Sequence, residues 1–145
     1  MYKRILLAYD GSEAGQQALL DAKDVANWTQ SEMHLVAVRP SPAALIGGES
    51  GIYDPELEKE EERQYTGILE DGLQRLSEAG YSAKGTVLVG DAVAELTRYA
   101  EEIRADLIIV GHKHLKSWAA RWWRGSVSKS LIEHAPCSVL VVIIK

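Results

Sequence analysis

The sequence predicts an α/β fold: a doubly wound, five-stranded parallel sheet with strand order 3-2-1-4-5 and helices on both faces. Three observations carry this. Short runs rich in Leu, Ile and Val alternate along the chain with stretches whose apolar residues recur at helical spacing. One run, Leu107 to Val110, is uninterrupted in Leu, Ile and Val, as a parallel strand covered on both faces has to be. Turn or capping residues separate the runs, and right-handed crossovers between them place the first and fourth strands side by side at the point where the winding reverses.

Each element follows from local chemistry. Lys3 to Tyr9 is apolar and ends at Asp10-Gly11-Ser12, a strand followed by a turn. Ser12 can cap a helix whose Ala14, Ala18, Ala22, Val25 and Ala26 form a stripe of small residues, suited to close packing on a sheet. Met33 to Val38 is the second strand, closed by Arg39-Pro40. Ser41 to Asp54 is loop-like in composition, and Pro55 suits the first turn of a long helix with an acidic start and an apolar face of Leu57, Ile68, Leu69, Leu73 and Leu76. Gly80 stops it. Tyr81 to Val89 is the third strand. Gly90-Asp91 leads into a helix carrying Val93, Leu96, Ala100 and Ile103. After the fourth strand comes the segment Gly111 to Arg124, then a short helix over Val127 to His134, then a final strand over Ser138 to Ile144.

A chain of 145 residues fits one domain spanning 1–145, large enough to fold without disulfides or a structural metal. Cys137 is the only cysteine, so an internal disulfide and a cysteine zinc site are excluded, and a reducing, cytoplasmic setting is expected. Neither a signal peptide nor a membrane span is expected, because the longest apolar run, Val139 to Ile144, is strand-sized. The net charge of −5 argues against nucleic acid as a partner. That charge is uneven. Lys113, Lys116, Arg121, Arg124 and Lys129 fall in one stretch with no Asp or Glu, leaving −10 on the remainder. A basic island on an acidic body points to a local anion site.

Ligands of such sheets bind outside the carboxyl ends of the strands at the winding reversal. The first strand delivers Tyr9-Asp10-Gly11-Ser12 there; the fourth delivers Val110-Gly111, the basic segment, and Gly125-Ser126-Val127-Ser128 at a helix start. Glycine amides, hydroxyls and a helix N-terminus together suit phosphate oxygens, although Gly125 and Ser126 also read as a turn and its cap. Asp10 reads two ways: as the cap of its own turn, or as a magnesium ligand beside phosphates, which it would otherwise repel. His112 and His114 are too few for a metal site of their own. Trp118, Trp122 and Trp123 lie at helical spacing and read as packing residues, with a partner or base-stacking surface as the alternative. No positioned nucleophile and base emerges, so an enzyme is not expected beyond a weak ATPase.

Four blocks, RILLAYDGS, GDAVAEL, ADLIIVG and GSVSKSLIEHAPCSVLVV, resemble the universal stress protein family in family order across the whole chain. The resemblance implies a stress-response sensor or regulator that binds ATP with magnesium. Asp10 would lie near phosphates and the metal, and Val38 would meet adenine through its backbone. Val110, Gly111, Gly125, Ser126, Val127 and Ser128 would wrap ribose and phosphates. The family's binding pattern is Gly-x-x-Gly, nine residues, then Gly-Ser or Gly-Thr. Here His114 replaces the second glycine and ten residues separate it from Gly125. An imidazole at that position either obstructs the phosphates or, protonated, pairs with them. A family member without nucleotide, acting through protein contacts, is the alternative function. The resemblance also implies a homodimer through Val139 to Ile144. The same expectation comes from an apolar final strand at a sheet edge, with no internal charge or proline and no later element to cover it.

Overall fold

The computed structural model describes residues 2–41, 54–113 and 129–144. Five strands, β1 (Arg4–Ala8), β2 (Glu32–Arg39), β3 (Lys84–Val89), β4 (Leu107–Lys113) and β5 (Ser138–Ile144), form one sheet in the order β3-β2-β1-β4-β5. All four ladders are parallel. Three helices, α1 (Glu13–Thr29), α2 (Pro55–Glu78) and α3 (Ala92–Ile103), alternate with the strands, and residues 129–134 are helical ahead of β5. Architecture and strand order are those the sequence predicts.

The strand period of two splits the core. Ile5, Leu7, Leu35 and Ile109 face α1 and α2, meeting Ala18, Ala22 and Leu76. Leu6, Val36 and Ile108 face the other way, onto Leu96 and Ala100 of α3 and onto Leu131. Ile5, Leu6 and Leu7 are fully buried, and each such side chain contributes about 1.5–3 kcal/mol through removal from water. Ala14, Ala18, Ala22 and Ala26 form the buried stripe of α1, as their spacing requires.

The ends of elements differ from the sequence reading, each for a physical reason. β3 begins at Lys84 rather than Tyr81. Gly80 takes a left-handed conformation (φ +83°), the Tyr81 amide returns to the Leu76 carbonyl at 2.8 Å and the Gly80 amide to the Ser77 carbonyl at 2.9 Å. That Schellman closure of α2 uses the Tyr81 N–H that a strand would need. β4 runs past Val110 to Lys113, because Gly111, His112 and Lys113 find register partners in Val142, Ile143 and Ile144. Leu57 does not join the apolar face of α2; it is 50% exposed. Cys137 is half-buried against the α3-side core rather than buried outright, and burial pushes its thiol pKa up.

Candidate functional site

The crevice is made where β1 and β4 run side by side, with Ile5, Leu6 and Leu7 paired to Leu107, Ile108 and Ile109. From β1 the chain winds through α1 toward β2 on one side. From β4 it continues to β5 on the other. The carboxyl ends of β1, β2 and β4 therefore lie side by side at the winding reversal, where sheets of this kind have their ligand opening.

Asp10 is exposed at that opening. Its Oδ1 accepts hydrogen bonds from the Ser12 amide at 2.9 Å and from the Ser12 hydroxyl. Ser12 Oγ in turn accepts from the Gly15 amide at 3.0 Å, and the Ser12 carbonyl accepts from the Gln16 amide. Asp10 thus caps its own turn, and Ser12 caps the N-terminus of α1 at the Gly15 amide. Gly15 is part of this: a Cβ there would lie 2.9 Å from Asp10 Oδ1, so any side chain would press the carboxylate off the first turn. A glycine in the first turn of a helix, where its low propensity needs a reason, is the sequence signal of this close approach.

The donor set bears on magnesium. Magnesium takes one or two carboxylates together with phosphate oxygens and water. An exposed Asp10 with Oδ1 committed to Ser12 fits as one such carboxylate. Among the described residues no group of three or more His, Cys, Asp or Glu could hold a metal alone.

Tyr9 points away from the opening. Its ring is 3% exposed, packed on the α2 side, and its hydroxyl donates to Asp71 Oδ2 at 2.8 Å. Arg75 Nε donates to the same oxygen at 2.9 Å. Burial first, then the Asp71 contact, push the Tyr9 pKa up to about 12. The Tyr9 hydroxyl and Arg75 hold the Asp71 carboxyl below the ordinary carboxylate range.

Val38 presents backbone. The polar groups of a parallel strand alternate between its two neighbours. In β2, the Val36 carbonyl accepts from the Tyr9 amide and the Arg39 carbonyl from the Gly90 amide, both at 2.9 Å. Val38 shares the parity of Val36, so its N–H and C=O are directed to the β1 side. The β1–β2 ladder ends at Ala8 opposite Val36. The Val38 groups thus lie past the end of β1, while its side chain packs against the α3-side core.

On β4, Val110 is buried in that same core. Gly111 is required by α1: a Cβ on it would lie 2.3 Å from the Ala14 carbonyl oxygen and 2.9 Å from the Gly15 nitrogen. Tyr9 and Val110 therefore offer backbone rather than side chains to the opening, and Gly111 has its Cβ direction filled by α1. His114, Gly125, Ser126, Val127 and Ser128 lie outside the described residues, as do Trp118, Trp122 and Trp123. His134 Nδ1 lies 2.9 Å from the Ser130 carbonyl oxygen, within its own helical turn.

Comparison with known proteins places these features in context. The model of the universal stress protein family matches residues 1–142. A putative universal stress protein of Staphylococcus haemolyticus is 33% identical over 144 residues, covering 97% of this chain and 84% of the relative. Among solved structures, a universal stress protein in complex with cAMP superposes with a TM-score of 0.72 at 22% identity, covering 99% and 98% of the two chains. The universal stress protein of Archaeoglobus fulgidus in complex with dAMP superposes with a TM-score of 0.70 at 18% identity, covering 97% and 98%.

Proposed function

Because the chain belongs to the universal stress protein family, we propose that it binds an adenine nucleotide, ATP with magnesium, at the carboxyl ends of β1, β2 and β4. In this reading it works as a dimeric cytosolic sensor or regulator, not as an enzyme. The observation that carries the ligand is the Val38 backbone, whose donor and acceptor are directed past the end of β1. One donor beside one acceptor on a strand suits the edge of adenine. Complexes of the same fold with cAMP and dAMP support an adenine ligand.

The α1 N-terminus is capped by Ser12 and flanked by Asp10, so it is a poor place for phosphates. The phosphates are assigned to the other helix start, Gly125, Ser126, Val127 and Ser128, next to the basic segment. Asp10 then faces the phosphates through magnesium. By the sequence motif, His114 takes the position of a glycine in that loop.

Titration calorimetry of the full chain with ATP, ADP and AMP tests the reading. Wild type is expected to bind, and Gly125→Val to lose at least tenfold in affinity, ~1.4 kcal/mol, while keeping its fold by circular dichroism. His114→Gly is expected to strengthen binding by relieving obstruction. Unchanged affinity in Gly125→Val would refute the phosphate assignment. A wild type that binds none of the three nucleotides would replace the reading with that of an interaction protein of the same fold.

A further inference from the structure

His34 is the third residue of β2, on the face covered by α3, and is 8% exposed. Both ring nitrogens are buried without a hydrogen-bond partner. Tyr99 of α3 meets the ring edge-on, centroids 6.4 Å apart at 70°, and the Tyr99 hydroxyl lies 3.3 Å from Thr86 Oγ1 on β3. The imidazole is therefore held between sheet and helix by packing, with no hydrogen bond of ordinary length to either ring nitrogen.

The charges that face it come from three strands. Glu32 Oε1 is 3.6 Å from His34 Nε2, but that same oxygen holds Lys84 Nζ at 2.6 Å, and Glu32 Oε2 holds Arg4 Nε at 3.4 Å. Arg4 also donates to the Ile103 carbonyl at the end of α3. One carboxylate thus already serves two cations. A proton on His34 would add a third positive charge to the group, and the carboxylate oxygen nearest it, Glu32 Oε1 at 3.6 Å, is already held by Lys84.

We propose that His34 is an acid-sensitive catch, which holds α3 against β2 and β3 while its ring is neutral and loosens α3 when the ring takes a proton. Burial, the largest influence, keeps the imidazole pKa below the ordinary histidine range, with Glu32 pulling the other way and Lys84 and Arg4 reinforcing the depression. The sign follows. Above about pH 6.5, where an unfolded histidine is neutral, the ring is neutral in both states and its titration does not change stability. As pH falls below that, the unfolded chain gains a proton that the folded chain resists. The folded-to-unfolded ratio then drops by up to about tenfold per pH unit until the folded pKa is reached. Because α3 leads directly into β4, loosening it reaches the strand whose end borders the crevice.

The test uses the full-length wild-type chain. Its ring protons are followed by NMR from pH 8 to pH 4.5, and amide exchange is compared at pH 7.5 and 5.5 after correction for intrinsic rates. The His34 resonance is expected to titrate below the ordinary histidine midpoint, and the protection of Leu96 to Ile103 to fall before that of α1. Urea unfolding of wild type is expected to lose up to about tenfold more of the folded-to-unfolded ratio between pH 6.5 and 5.5 than His34→Leu loses, the other histidines contributing equally to both. A His34 midpoint at or above 6.5 overturns the proposal, as does loss of protection uniform over α1 and α3. Both are read on wild type, so they decide even where His34→Leu fails to fold.

Discussion

The side chain of Tyr9 and the carboxylate of Asp10 are neighbours in sequence with opposite fates. Tyr9 shares the strand parity of Ile5 and Leu7, so its ring enters the core and only its backbone reaches the crevice. Asp10 stays exposed and folds back on Ser12. The parity was legible in the sequence. The Asp71 and Arg75 partners of Tyr9 were not, because they come from a helix more than sixty residues away. Replacing Tyr9 by Phe keeps the packing and removes the hydrogen bond. Stability at pH 7 is expected to fall by about 1 kcal/mol in urea unfolding. The alkaline limb is more specific. The folded phenol, raised to about 12, keeps its proton where an unfolded tyrosine near 10 gives it up. Its contribution is fully present below pH 10 and is lost as pH rises toward 12. The difference between wild type and Tyr9→Phe is thus expected to shrink over that range. On the acid side the Asp71 contribution is present above its unfolded pKa, near 4, and is lost as pH falls through the lower folded value. A constant difference from pH 9 to 12 would show that the phenol is not held as described.

At the scale of elements, α1 and β4 approach more closely than either sequence segment announces. Strands and helices were legible because their signals are local: apolar runs, alanine spacing, and the caps Ser12, Asp54 and Asp91, each of which accepts from an amide of its own helix. Element ends were less legible where a cap consumed a strand's first amide, as at Tyr81, or where a distant strand offered register partners, as for residues 111–113. Gly111 joins both cases. Its motif position suggested a ligand role, yet its missing side chain is demanded by the Ala14 carbonyl. Gly111→Ala is expected to push α1 off β4 at a cost of about 1–3 kcal/mol, lowering Tm by roughly 2–4 °C per kcal/mol. Gly67→Ala serves as the contrast. It lies inside α2 with nothing within 4 Å of a new Cβ, so the change should stabilise by roughly 0.5–1 kcal/mol. Equal thermal shifts in the two variants, measured by calorimetry, would contradict the close approach.

At the scale of the whole molecule, the two edges of the sheet are unlike. β3 carries Lys84 and Gly85, a charge and a weak strand former that discourage pairing. β5 carries Ser138 and then six aliphatic residues, and among the described residues β4 is its one ladder partner. Leu140 and Ile143 on it are 37% and 52% exposed. Beside them a cleft of about 580 Å³ opens between α1, the end of α2 and β5, where Leu20 and Ile143 sit among the polar Gln16, Gln17, Lys23 and Arg75. A two-fold copy that docks the same strand would cover both exposed edges at once and close the assembly. The chain is therefore expected to be a homodimer built around Val139 to Ile144. The informative variant is Ile143→Lys rather than a change at Val141. Val141 packs against the α3-side core, where a lysine would unfold the protein, whereas Ile143 is half in solvent and a charge there alters the surface alone. Sedimentation at micromolar concentration should give a wild-type dimer and an Ile143→Lys monomer of unchanged circular dichroism. A wild type that stays monomeric throughout that range, with the amides of β5 exchanging freely, would leave the edge without a partner and refute the dimer.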